Sequence, residues 1–237
     1  MNLVLLQAED FAADGRVRLT GRRLEHVRTV LRLEAGATLR VGHLHGKLGT
    51  ARVLEVSPDV ALLAPPVLTE SPPPRAAIDL LLAVPRPKAL RRVLPAAASL
   101  GVDRIVLLNA ARVEKSYFDA RLLAPARIDE LLQLGLEQAC DTVPPQVMLR
   151  SRFRPFVEDE LDGLVARETL RLLPHPGAPE PLPVRVAQRV ALAIGPDGGW
   201  VPFEIELLRG RGFRPVSLGP RTLRVEVAVP ALIGALR

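Results

Sequence analysis

Cysteine is nearly absent from this sequence. Cys140 stands alone, so no disulfide can form within the chain and no thiolate cluster can hold zinc. The four histidines, His26, His43, His45 and His175, lack the spacing of a helical metal pair. No metal site is expected. Aromatic residues make up only 3% of the chain, so leucine, valine, isoleucine and alanine must build the core. No apolar run approaches the roughly 18 residues that a membrane-spanning helix needs. The opening residues 1–10 lack the basic segment and long apolar stretch of an export signal, and the expected compartment is the cytoplasm. No glycine-rich loop is followed by Lys-Ser or Lys-Thr, which excludes a P-loop, and no Gly-x-Gly-x-x-Gly follows an early strand, which excludes a dinucleotide fold.

Lysine is scarce too. Lys47, Lys88 and Lys115 are the three present, and arginine carries the rest of a formal charge of +6. A basic balance suits a polyanion such as nucleic acid. Arginine also follows base composition, as the abundance of alanine, proline and leucine suggests, so charge alone does not decide the partner. At 237 residues, 48% of them hydrophobic, the chain can bury one or two cores.

A boundary lies near residues 65–75. Pro65-Pro66 and Pro72-Pro73-Pro74 can continue neither helix nor strand. Before them, short apolar runs alternate with period two between glycines, as in Thr38-Leu39-Arg40-Val41 and Ala51-Arg52-Val53-Leu54-Glu55-Val56. That pattern predicts a small β-rich domain over residues 1–70. One helix is expected within it at 21–32, with Leu24, Val27 and Leu31 on a single face.

Residues 75–237 read differently. Near-continuous apolar segments at 78–84, 104–108, 146–149, 169–173, 189–194 and 214–218 suit buried parallel strands. Helical segments are expected at 89–100, 126–139, 157–166, 202–210 and 225–236. Such alternation predicts an α/β domain with a mostly parallel sheet.

Two glycine loops carry the chemistry. Ile194-Gly195-Pro196-Asp197-Gly198-Gly199-Trp200 follows one apolar strand, and Leu218-Gly219-Pro220-Arg221-Thr222-Leu223-Arg224-Val225-Glu226 follows the next. Turns at the carboxyl ends of parallel strands are where α/β sheets bind ligands. Glycine there lets backbone groups approach a ligand with no side chain between. Two such loops after consecutive strands favour a ligand site over a pair of plain turns.

These loops resemble the RsmE family of 16S ribosomal RNA (uridine-N3) methyltransferases, of the SPOUT superfamily. That family shows Ile-Gly-Pro-Glu-Gly-Gly and then Leu-Gly-x-Arg-Ile-Leu-Arg-x-Glu-Thr-Ala. The likeness extends to Ser99-Leu100-Gly101-Val102, to Glu137-Gln138, and to His26-Val27-Arg28-Thr29-Val30-Leu31-Arg32-Leu33 with Gly36. Val225 and Val227 stand where the family has threonines, and Asp197 where it has glutamate.

The resemblance implies a PUA-like barrel over 1–70 that helps bind RNA. It implies a trefoil-knotted SPOUT domain over 75–237 acting as a homodimer. S-adenosylmethionine would be held by Leu173, His175, Ile194, Gly195, Pro196, Gly198, Gly199, Leu218, Gly219, Leu223 and Arg224. Arg224 and Glu226 would serve the chemistry on N3 of a uridine in the small ribosomal subunit. Arg22, Arg23, His26, Arg28 and Arg32 would meet the RNA, in a stretch where Arg16, Arg18 and Arg40 add further charge. Two alternatives have the same outline: an RNA-binding protein of this fold without catalysis, and a SPOUT methyltransferase with another RNA target.

Overall fold

The computed structural model describes residues 2–118 and 121–237. The chain divides into two units: residues up to Pro74 with Gln133–Pro144, and Arg75–Leu132 with Pro145–Arg237.

The first unit holds β1 (Val4–Leu6), β2 (Val17–Leu19), β3 (Thr38–His43), β4 (Leu48–Val56), β5 (Ala61–Leu63) and β6 (Val67–Glu70). Strand order is β1-β3-β4-β5-β2, with β6 also pairing β4; β1 lies parallel to β3, and the other pairs are antiparallel. β4 organises the sheet. Its first half pairs β3 and β6, its register shifts between Val53 and Glu55, and its second half pairs β5. Such an irregularity bends a strand and raises its twist, so one strand can serve two directions of pairing. Val4, Leu6, Val17, Leu19, Leu39, Val41, Ala51, Val53, Ala61 and Leu63 fill the core, with Leu24 and Val27 packed on them.

Helix α1 (Gly21–Glu25) continues as a π-helix over His26–Val30. The expected face is therefore broken. The Leu31 N–H bonds the His26 carbonyl five residues back, and this wider turn leaves Leu31 half-buried while Leu24 and Val27 are buried. Arg32 then takes a left-handed φ of 50° and ends the helical stretch.

Residues 133–144 belong to this unit, although a division at the proline-rich linker places them with the later residues. Polar bonds explain their membership. Arg22 grips Glu137 through two bonds of 2.8 and 3.1 Å, the His45 N–H bonds the Thr142 carbonyl at 2.8 Å, and the Thr142 hydroxyl bonds the Gly46 carbonyl at 2.5 Å.

The second unit contains β7 (Ala76–Ala83), α2 (Pro87–Ser99), β8 (Val102–Leu108), α3 (Lys115–Phe118) and α4 (Pro125–Ala139), whose last turns count with the first unit. There follow β9 (Gln146–Arg150), α5 (Phe153–Pro155), a π-helix over Phe156–Glu160, and α6 (Leu161–Leu164). The chain closes with β10 (Leu170–Pro174), β11 (Val190–Ile194), α7 (Pro202–Gly210), β12 (Arg214–Val216) and α8 (Val225–Leu236). The sheet runs β12-β10-β11-β7-β8-β9, and every pairing is parallel. Ile78–Ala83 and Val190–Ile194 are buried throughout, as a sheet covered on both faces requires. β12 stops at Val216, two residues short of the expected end, because Ser217 and Leu218 turn out of the sheet into the following loop. No helix among the described residues is long and apolar enough to cross a membrane.

Candidate functional site

Strands β10, β11 and β12 end side by side at Pro174, Ile194 and Val216, and the loops after them enclose a cleft of about 510 Å³. That volume is in the range of small-molecule sites, and the carboxyl edge of a parallel sheet is the usual place for one.

Each loop is shaped by its sequence. A Cβ on Gly195 would lie 3.1 Å from the Trp200 backbone nitrogen and 3.2 Å from its indole, so any side chain here would have to push this close loop apart by a few tenths of an ångström. Trp200 is itself buried at 4% exposure and packs against Phe153, with ring centres 5.4 Å apart. Its indole nitrogen is buried without an acceptor among the described residues. In the second loop Gly219 has a φ of 128°, which side chains rarely adopt, and its N–H bonds the Ser217 hydroxyl at 3.1 Å. The third wall carries Pro174, His175 and Pro176, with the His175 N–H on the Val216 carbonyl at 2.9 Å.

Cations ring the opening. Arg86 follows β7 and lies 3.0 Å from Asp197, whose carboxylate raises the guanidinium pKa above its ordinary value. Arg112 follows β8 and donates to the Gly198 carbonyl at 2.5 Å. Arg224 is the N-cap of α8; its carbonyl accepts from Val227 and Ala228 at 2.9 and 2.8 Å, and its exposed side chain lines the cleft.

Of the positions implied for a cofactor, His175, Ile194, Gly195, Pro196, Gly198, Gly199, Leu218, Gly219, Leu223 and Arg224 line this cleft. Leu173 does not. It is fully buried within β10, opposite Pro215, and its neighbour Pro174 takes the lining position. Glu226 does not line it either, being in the first turn of α8 with Arg92 at 3.7 Å. Glu226 thus pairs with α2. Glu204 is structural, as its place in the first turn of α7 suggests: its carboxylate accepts from the Ala111 and Val201 N–H groups at 2.7 and 3.0 Å.

Sequence reasoning missed Arg86, Arg112 and Trp200. A signal for the two arginines existed, since each follows an apolar parallel strand at its carboxyl end. Neither stands in a glycine loop, and only the sheet order brings β7 beside β11 and β8 next after it.

The arginines expected to meet RNA are less free than their spacing implied. Arg22 is committed to Glu137, Arg23 bonds both oxygens of Asp10 and the Leu5 carbonyl, and Arg28 bonds the Pro58 carbonyl at 3.1 Å. Arg16 pairs with Asp14, and Arg40 with Glu70. Arg32 is exposed, and His26 is half-buried at the start of the π-helix. Among the described residues, no three His, Cys, Asp or Glu side chains are grouped as a metal site requires.

The RNA methyltransferase domain family matches residues 71–237 of this chain. The ribosomal RNA small subunit methyltransferase E of Treponema pallidum is 31% identical over 98% of this chain and 88% of its own length. A methyltransferase structure from Legionella pneumophila, in complex with the bound cofactor SAM, shares 26% identity at a TM-score of 0.74 and covers 98% of this chain and 95% of its own. The Neisseria gonorrhoeae ribosomal RNA small subunit methyltransferase E, bound to S-adenosyl methionine, has a TM-score of 0.76 at 24% identity, over 99% of this chain and 96% of its own; it speaks for the fold alone.

Proposed function

The chain belongs to the RNA methyltransferase family, among the ribosomal RNA small subunit methyltransferases E, and from that premise we propose that it methylates N3 of a uridine in 16S ribosomal RNA. It is an enzyme, and its methyl donor is S-adenosylmethionine. The observation that carries the reading is one cleft that joins two glycine loops to an exposed arginine, Arg224.

The residues present fit the donor. Gly195, Gly198 and Gly199 bring the backbone to the cleft without side chains in the way, and Ile194, Leu218, Leu223 and Leu232 give apolar walls. Bound S-adenosylmethionine supplies the methyl group. The protein supplies position: holding donor and base in line contributes several kcal/mol by orientation alone. N3 is on the Watson–Crick edge, so the target must be unpaired or flipped out. N3 also carries a proton. The Arg224 guanidinium beside the uracil oxygens would stabilise the negative charge that grows there and so favour loss of that proton. Glu226 acts behind it, as an acidic group in the first turn of the helix that Arg224 caps.

On the same proposal, the second unit is a trefoil-knotted SPOUT domain. This is supported by residues 181–186, which bridge Ser217 through Pro181 and bond Ala235 and Leu236 of α8 through the Arg185 and Val186 N–H groups, so one loop spans chain that comes after it. The first unit is a PUA-like RNA-binding module, in which Arg22, Arg23, His26, Arg28 and Arg32 serve the RNA. The protein acts as a homodimer in the cytoplasm, consistent with Leu223 and Val227, which stay 36% and 49% exposed at the start of α8.

The test is incubation with small ribosomal subunits lacking the modification, then location of the new methyl by mass spectrometry. Methyl on uridine N3 is expected; methyl on a ribose or a guanine overturns the assignment. Sedimentation at twice the 25.8 kDa chain mass is expected at micromolar concentration, and a species of chain mass alone overturns the dimer.

A further inference from the structure

A second cleft, of about 470 Å³, adjoins the first. Arg86, Arg112, Pro196 and Asp197 line both. Its far wall carries Glu114 and Tyr117, the single tyrosine of the chain. The two clefts differ in kind. The first joins glycine loops and aliphatic side chains to its arginines. The second brings an aromatic ring together with two guanidinium groups and, among the described residues, has no glycine in its lining.

Resting on the methyltransferase reading, we infer that this second cleft seats the target nucleotide, its unpaired base stacked on Tyr117 and its phosphate met by Arg112, with the base edge turned across the shared wall toward the methyl donor. Stacking on an aromatic ring and charge-assisted bonds from arginine are how proteins hold an unpaired nucleotide. The geometry supports each part. Tyr117 is half-buried and lines the cleft. The Glu114 carboxylate near its hydroxyl holds the phenol pKa above its usual value, so the ring stays neutral. Arg112 uses Nη1 on the Gly198 carbonyl, and the rest of its five-donor fork remains for a phosphate. Arg86 is paired with Asp197, which bonds both its side chain and, at 3.4 Å, its backbone N–H, and this pair borders both clefts. A nucleotide in one cleft and the donor in the other then meet at a wall common to both.

Two measurements on the full-length protein decide it. In the first, small-subunit ribosomal RNA transcribed with 4-thiouridine is photo-cross-linked to the protein, and the peptide is mapped. A cross-link within residues 112–117 is expected, weakened about tenfold in Tyr117→Ala and largely restored in Tyr117→Phe. Cross-links confined to other segments overturn the inference. This arm needs no turnover, so it decides the nucleotide site even if no methyl is transferred, which would fell the methyltransferase reading instead. In the second, steady-state kinetics and calorimetry are compared. Tyr117→Ala should lower kcat/KM for RNA about tenfold or more, the loss expected for one stacked base, while the dissociation constant for S-adenosylhomocysteine stays within about twofold. Unchanged kcat/KM, or a loss confined to cofactor binding, overturns it.

Discussion

The two units use the same residue in opposite ways. In the first, arginine is largely consumed by the fold: Arg16, Arg22, Arg23 and Arg40 each face a carboxylate. Two of those carboxylates, Glu137 and Asp10, are buried at 1% and 6% exposure, and a buried charge must be paired. In the second unit the arginines beyond the carboxyl edge of the sheet keep donors in reserve. Arg112 gives one nitrogen to a carbonyl, and Arg224 reaches the cleft from the N-cap of α8. A run of arginines in a sequence thus measures positive charge, not charge that is free for a phosphate. What frees it is the absence of a neighbouring carboxylate, which spacing along the chain does not reveal.

The sharpest break in that comparison is at Arg224. Arg224→Ala should lose about 10²–10³-fold in kcat, the cost of removing one preorganised donor at developing negative charge, with cofactor affinity retained by calorimetry. Arg224→Lys should recover only part. Full activity in the alanine variant would remove the role. At a consumed arginine the loss should fall on stability instead. Asp10→Ala leaves Arg23 unpaired at 18% exposure and should cost about 3 kcal/mol in denaturant unfolding. Arg32→Ala, at an exposed position, should stay within about 0.5 kcal/mol. Equal costs for the two would erase the distinction.

A subtler test asks which first-unit arginines meet RNA. Reversing Arg28 and Arg32 together should weaken RNA binding and lower the slope of log affinity against log salt by about 1.5, near 0.7–0.9 for each phosphate that is no longer neutralised. An unaltered slope moves the backbone-binding surface to the second unit.

The smallest effect concerns a buried carboxylate within the second unit. Asp79 on β7 is 1% exposed, with Oδ1 3.0 Å from Arg189 and 3.6 Å from Arg104, while Oδ2 is buried without a hydrogen-bond partner among the described residues. Burial raises its pKa from 3.8, against the pull of the two arginines. The folded chain then holds this proton more tightly than the unfolded one. The stabilisation is fully present below 3.8 and is lost as pH climbs through the raised value. Asp79→Asn should lack that decline when unfolding free energy is followed from acid to neutral pH. An identical decline in the variant would assign it to other groups. Asp162 slopes the other way: Arg171 and Arg211 lower its pKa, so its contribution is lost as pH falls below 3.8, and it is small because the side chain is 47% exposed.

Much of this architecture was legible in the residues. The switch at the prolines from period-two alternation to continuous apolar runs marked the change from bent antiparallel sheet to buried parallel sheet. The expected segments at 78–84, 104–108 and 189–194 match β7, β8 and β11 closely, because strands covered on both faces must be apolar at every position. Gly195 and Gly219 were legible because a close approach and a left-handed φ each disfavour side chains, a constraint that is local and so is written locally. What stayed hidden was pairing across the chain. The capture of Arg22 by Glu137, the pull of Glu226 toward Arg92 and the meeting of Arg86, Arg112 and Asp197 join residues far apart in the chain. Backbone conformation and burial period are properties of a segment, so the sequence alone determines them. Which charges neutralise one another, and which remain for a ligand, depends on distances that exist only once the strands have taken their order.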